Sequence, residues 1–184
     1  MKNFNYKLVL IIAAVVIAVF LMCVFMVQGA QNGAINREEQ IETAQSDIKV
    51  QEKRRADLIP NLADCVKQYD KHEYNTLMGV IEARGTNTDA SVNEVKTMIS
   101  AVAEQYPQLQ ANTNYKQLMN ELSVTENLIA EYRSNFNKQV KEYKRYVRKF
   151  PTRLFLSMTG YETLEYEYLD YDVSSDAPTN LFGE

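Results

Sequence analysis

The feature that most constrains this chain is an unbroken run of twenty apolar residues from Leu8 to Val27. At a rise of 1.5 Å per residue, a helix of that length measures about 30 Å, which matches the hydrocarbon core of a bilayer. Lipid offers no partners for backbone N–H and C=O groups, so a segment that crosses it alone has to be helical. The run therefore predicts a transmembrane helix.

Three interpretations of this run compete: an uncleaved signal anchor, a cleaved signal peptide and a lipoprotein signal. A signal peptide has an apolar stretch of about 7–15 residues and small residues before the cut. This run is longer, and Val27-Gln28-Gly29 is only a passable cleavage site, so the signal anchor is favoured. A lipoprotein signal would need a small residue before the cysteine, and Cys23 follows Met22.

The flanking charges predict the orientation of the anchor. Lys2 and Lys7 precede the run, and the next charge is Arg37, which Glu38 and Glu39 offset. By the positive-inside rule, residues 1–7 form a short cytoplasmic N-terminus. We therefore expect a single-pass protein of the cell membrane, with the rest of the chain outside the cytoplasm.

After the run, residues 28–34 are interpreted as a flexible linker, and residues 35–160 as helices. Apolar residues recur there at steps of three and four, as one helix face requires. Pro60 predicts a kink near residues 56–60 or a break into two helices. The longest stripe comprises Tyr115, Leu118, Leu122, Thr125, Ile129, Tyr132, Phe136, Gln139, Tyr143, Tyr146 and Phe150.

Helices that each carry one apolar stripe and are joined by short loops pack as an antiparallel bundle. The predicted fold is therefore all-α: an N-terminal transmembrane helix, then a bundle of three to four long helices. Residues 161–184 carry seven acidic residues and no basic one, with alternating tyrosine and glutamate. They are predicted to form an irregular acidic tail that is partly disordered.

The composition favours no catalytic chemistry. The formal net charge of −4 argues against a nucleic-acid-binding protein, and neither a histidine-based catalytic set nor a glycine-rich phosphate loop is present. His72 neighbours Glu73, with Asp70 nearby, but no second histidine exists to complete a typical metal site. We interpret these residues as a solvated helix face, and expect no enzyme, cofactor or metal.

Two groups of basic residues are candidate binding sites. Lys53, Arg54 and Arg55 could bind a phosphate or a partner, or could form ion pairs between helices. Seven basic residues also lie within residues 138–153, among them Lys141, Arg145 and Arg148. Cations near a helix C-terminus complement its dipole, but seven basic residues are more than this effect requires. The stripe could bind anionic lipid or an acidic partner, remain solvated, or pair with the acidic tail.

The order of several short motifs resembles the bacterial LemA family. They are Ala44–Leu62 (AQSDIKVQEKRRADLIPNL), Ile81-Glu82-Ala83-Arg84, Tyr106–Asn112 (YPQLQAN), Glu121-Leu122, Thr125-Glu126-Asn127, Phe150-Pro151 and Gly160-Tyr161. Gln45, where the family commonly has tryptophan, and Glu52, at a usually apolar place, depart from the pattern. The resemblance covers residues 44–161 and implies one membrane helix, a helical bundle and an association with the bacterial envelope. It implies no reaction.

The first functional hypothesis is a non-catalytic, membrane-anchored interaction or scaffold module with an envelope protein as its partner. The other is a lipid-binding or membrane-remodelling bundle that uses the basic stripe near residues 138–153. The sequence identifies neither the partner nor the oligomeric state.

Overall fold

The computed structural model describes residues 6–85 and 89–170, and all regular structure within those ranges is helical. The helices are α1 (Tyr6–Lys67), α2 (Lys71–Arg84), α3 (Asp89–Gln105), α4 (Pro107–Ala111), α5 (Thr113–Arg148) and α6 (Thr152–Met158). The predicted all-α class is confirmed over these residues. Of the predicted acidic tail, residues 161–170 form neither helix nor strand, and the rest lies outside the described residues.

The chain divides into two compact units. The central unit comprises residues 40–135, and the terminal unit comprises residues 1–39 together with residues 136–184. α1 and α5 each contribute one part to each unit.

α1 is longer than the sequence predicts. It continues through residues 28–34, so the interpretation of that segment as a flexible linker was wrong. Ala30 and Ala34 are 6% and 0% exposed, and Leu156 of α6 packs with them. Burial of this helix face outweighs the weak helix propensity of the two glycines in the segment, each about 1 kcal/mol less favourable than alanine.

α1 also continues through Pro60, so the chain does not break into two helices there. A proline inside a helix costs about 3 kcal/mol. Ile59, Leu62 and Val66 flank it and are 1%, 0% and 0% exposed. Burying such a side chain contributes about 1.5–3 kcal/mol, so the three together outweigh the proline.

The core of the central unit explains why its helices are amphipathic. Val92, Val95 and Ile99 of α3 are each 1% exposed, and Leu77 of α2 and Leu109 of α4 are fully buried. They form one apolar cluster with residues of α1 and α5. Five helices therefore contribute to this core of the central unit.

The predicted stripe of α5 is confirmed along most of its length. Its most buried members are Tyr115, Leu122, Thr125, Ile129, Phe136 and Tyr143, none more than 7% exposed. The prediction was wrong at Phe150, which is 77% exposed. α5 ends at Arg148, so Phe150 lies beyond the helix and no longer follows its register.

Candidate functional site

Two of the three basic residues at 53–55 are held in ion pairs within the central unit. Arg55 is 2% exposed, and its Nη1 lies 2.6 Å from Oδ1 of Asp89 on α3. Arg54 Nη2 lies 2.5 Å from Oε1 of Glu121 on α5, whereas Lys53 is exposed. Arg54 and Arg55 therefore connect α1 to two other helices, which is the structural role that the sequence suggested beside phosphate or partner binding.

Arg133 extends this network and was missed by the sequence analysis. Its guanidinium bonds Asp89 Oδ2 at 2.5 Å and Glu52 Oε1 at 3.0 Å. Burial alone would raise the pKa of Asp89, but hydrogen bonds from Arg133 and Arg55 outweigh it and lower that pKa. Glu52, which stands where the family usually has an apolar residue, thus has an ionic partner on α5.

Asp70 has a structural role at the start of α2. Its carboxylate accepts hydrogen bonds from the backbone N–H groups of His72 and Glu73, as an N-cap residue does. The Tyr106 hydroxyl donates to Asp70 Oδ2 at 2.7 Å. That bond first, and then the backbone bonds, lower the pKa of Asp70. The Asp70 carboxylate therefore caps α2 and joins it to Tyr106, which directly follows α3.

In the terminal unit, Tyr146 packs closely against α1. Its hydroxyl lies 3.3 Å from the carbonyl oxygen of Ala30. A Cβ at Gly33 would lie 2.1 Å from that hydroxyl, so the glycine permits the approach. The Arg37 guanidinium lies 3.8 Å from the centroid of the Tyr146 ring and donates to the Gly33 carbonyl at 2.7 Å. α1 and α5 are therefore joined here by polar and cation–π contacts.

Glu38 accepts hydrogen bonds from two tyrosines of the terminal unit. Tyr143 donates to its Oε1 at 2.6 Å, and Tyr161 donates to its Oε2 at 3.0 Å. The Tyr143 hydroxyl also accepts from the backbone N–H of Leu164 at 3.0 Å. One carboxylate on α1 thus joins α5 to the segment that follows α6.

These tyrosines predict a loss of stability at alkaline pH. Burial and the bond to Glu38 raise the pKa of Tyr161 to about 12 and that of Tyr143 well above its usual range. An unfolded tyrosine titrates near pH 10, at about its reference value. Their stabilising contribution is therefore complete below about pH 10 and should fall as the pH rises through about 12.

Denaturant unfolding and ultraviolet titration of tyrosinate absorbance measure this effect. The double variant Tyr143→Phe/Tyr161→Phe should lose stability less steeply with pH than the wild type. It should also lack the two late-titrating phenols. Equal slopes for the two proteins would contradict the assignment.

Residues 161–170 lie along α5 within the terminal unit. Asn137 Oδ1 accepts from the Leu169 backbone N–H and its Nδ2 donates to the Leu169 carbonyl, each at 2.8 Å. Lys144 Nζ lies 4.4 Å from the centroid of the Tyr168 ring. In the described part of the acidic tail, it is therefore the Tyr168 ring that contacts Lys144.

A groove of about 540 Å³ lies between this segment, α5 and α6. Lys144, Arg148 and Arg153 line it together with Glu165 and Glu167. Basic and acidic side chains thus share one concave surface.

The structure leaves the predicted basic stripe accessible. Lys141, Arg145 and Arg148 are all exposed on α5. Three large apolar side chains nearby are exposed as well: Phe150 at 77%, Leu154 at 47% and Met158 at 71%. The sequence placed Phe150 in the core stripe, so it gave no reason to associate this residue with the basic group.

Comparison with known proteins identifies the family of this chain. A model of the LemA family matches residues 44–179 of the 184-residue chain. The chain belongs to the LemA family. Protein LemA of Metamycoplasma hominis is 25% identical over 168 residues, which cover 82% of this chain and 77% of that protein.

The magnetosome proteins MamQ of Magnetospirillum gryphiswaldense and MamQ 2 of Paramagnetospirillum magneticum are similar to a shorter part of this LemA family member. Each is 34% identical over 68 residues, 37% of this chain and 25% of the relative. The chain therefore spans about a quarter of the length of those relatives.

Proposed function

We propose that this protein is a non-catalytic interaction module of the bacterial cell envelope, anchored by one membrane-spanning helix with its N-terminus in the cytoplasm. The observation that carries the proposal is the exposure of the apolar run. α1 is long and apolar enough to span a bilayer, and no part of its most apolar window is buried against the described residues. Lipid would cover a surface that is costly to expose to water.

The charged side chains of the central unit favour a non-catalytic role. Its charged side chains form ion pairs between helices, including Arg55–Asp89 and Lys96–Glu126, which favours a structural use of these groups. Contacts of α1 with α5 in the terminal unit, Glu38 with Tyr143 and Ala30 with Tyr146, fit the predicted antiparallel bundle. We propose that a surface of this bundle binds another envelope protein.

Two exposed apolar residues identify a surface on which to test this binding. Val50 and Val124 are 59% and 46% exposed. Val50 lies one turn before Arg54, and Val124 lies three residues after Glu121, so each shares a helix face with one member of the Arg54–Glu121 pair. Each valine therefore lies next to one member of that ion pair.

Crosslinking from this surface in intact cells tests the proposal. Val50→Cys and Val124→Cys, in a Cys65→Ser background, would be treated with a membrane-impermeant thiol photocrosslinker. We expect one protein adduct from each position, and none from the exposed control position Lys67→Cys. Labelling only after lysis would contradict the topology, and labelling without a protein adduct at either valine would contradict the interaction role.

Lipid binding is the second candidate function. The specific observation in its favour is that Lys141, Arg145 and Arg148 are all exposed.

A further inference from the structure

The end of α5 lies close to the end of the apolar run within the terminal unit. Tyr146 and Leu156 both contact α1 at Ala30. Ala30 follows Val27 by three residues, which is about 4.5 Å of helix. The headgroup layer on each side of a bilayer is about 5–8 Å thick. If α1 spans the membrane, as proposed above, these contacts lie at the level of the lipid headgroups.

The direction of α5 carries its end further toward the bilayer. Tyr143 contacts Glu38, whereas Tyr146, one turn later, contacts Ala30, about two turns closer to the apolar run. Positions along α5 therefore approach the run as residue numbers rise. Phe150 lies beyond the end of α5, and so on the side of the terminal unit that faces the membrane.

Three exposed apolar side chains follow the end of α5 along the chain. Phe150, Leu154 and Met158, called the interfacial patch below, are 77%, 47% and 71% exposed. A step of four residues separates each from the next, and Leu154 and Met158 therefore share one face of α6. Single exposed apolar residues are ordinary, but a contiguous group next to a membrane span indicates a contact with lipid.

Exposed basic residues surround the interfacial patch. Arg148, Lys149 and Arg153, called the basic rim below, are all exposed. Arg148 and Arg153 line a groove of about 290 Å³ together with Phe150 and Leu154. An apolar face bordered by arginine and lysine is typical of protein surfaces that lie in the interface of an anionic bilayer.

We propose that the interfacial patch inserts into the outer boundary of an anionic bilayer while the basic rim binds the lipid phosphates. The end of α5 and α6 would thus form a second membrane contact beside the anchor. Basic side chains near an anionic surface are attracted to it electrostatically. Lys144 is outside this rim because it already lies against the Tyr168 ring.

The chain contains no tryptophan, so an introduced indole reports on a single position. The full-length variants Phe150→Trp and Met158→Trp would be reconstituted in nanodiscs of anionic or zwitterionic lipid, held by a belt that contains no tryptophan. Brominated lipids then measure the depth of each indole. We expect blue-shifted emission and quenching by shallow bromines for both variants in anionic nanodiscs. The matched control Val50→Trp, exposed in the central unit, should remain solvent-like and unquenched.

Neutralising the basic rim with Arg148→Gln/Lys149→Gln/Arg153→Gln in the Phe150→Trp protein should reduce quenching to the level found in zwitterionic lipid. Lys49→Gln/Lys116→Gln, which removes two exposed charges of the central unit outside the basic stripe, should not. Solvent-like emission from both patch variants in anionic nanodiscs would overturn the inference, as would quenching that does not depend on the rim. Phe20→Trp within the span reports on the anchor separately, since its failure to be quenched by deep bromines would contradict the proposed membrane insertion itself.

Discussion

Ile129→Asp should unfold the central unit. Ile129 of α5 is 2% exposed, so an aspartate at this position would bury a carboxylate in a site that an apolar side chain occupies. Leaving a buried charge uncompensated costs about 3–5 kcal/mol. Since a typical domain is stable by only about 5–15 kcal/mol, this is a large part of the total. Thermal and denaturant unfolding of the full chain in detergent, followed by circular dichroism, would measure the change.

Val124→Asp is the matched control for this variant. Val124 lies on the same helix but is 46% exposed, so its carboxylate would remain hydrated. A surface substitution of this kind usually changes stability by less than about 0.5 kcal/mol. If Ile129→Asp unfolded at the same temperature and the same denaturant concentration as the wild type, the assigned register of α5 would be wrong.

The second large effect concerns the anchor. The protein should remain in the membrane pellet after high salt and alkaline carbonate, because a membrane-spanning helix holds far more strongly than a peripheral one. The double variant Val16→Arg/Ile17→Arg places two charges at the centre of the apolar run. At about 2.5–3.5 kcal/mol each on translocon-insertion scales, they should oppose insertion by about 5–7 kcal/mol. We expect this variant to be released by carbonate.

Gln28→Arg, one residue beyond the run, is the control for this experiment, because an arginine at the helix end can reach the interface. It should stay in the pellet like the wild type. Release of the wild-type protein by carbonate would contradict the membrane-spanning interpretation. A mature N-terminus near Ala30 would instead indicate cleavage of the run as a signal peptide.

Much of the local structure could be predicted from the sequence because it depends on periodicity. The apolar spacing from Tyr115 to Tyr143 predicted which face of α5 is buried. The same steps of three and four occur in α3, where Val92, Val95, Ile99 and Val102 are buried. Only the 3.6-residue period of a helix and the cost of exposing apolar surface are needed for such an inference.

Apart from Phe150, the errors and omissions concern places where contacts distant in sequence decide the outcome. Residues 28–34 resemble a linker by composition but are helical, because Leu156 packs with Ala30 and Ala34. No pattern around Glu38 indicates that Tyr143 and Tyr161, more than a hundred residues away, donate hydrogen bonds to it. The partners of Arg55 and Arg133 are likewise remote in sequence.

The sequence by itself determined the all-helical class, the candidate membrane span and the family, because apolar periodicity, run length and ordered motifs are local properties. Only the tertiary structure decided which charged residues are held in ion pairs and which remain exposed. It also removed Phe150 from the core and placed it beside Arg148 and Arg153. The physical reason is that exposure depends on where a helix ends and what packs against it, and neither follows from the spacing of residues along one helix.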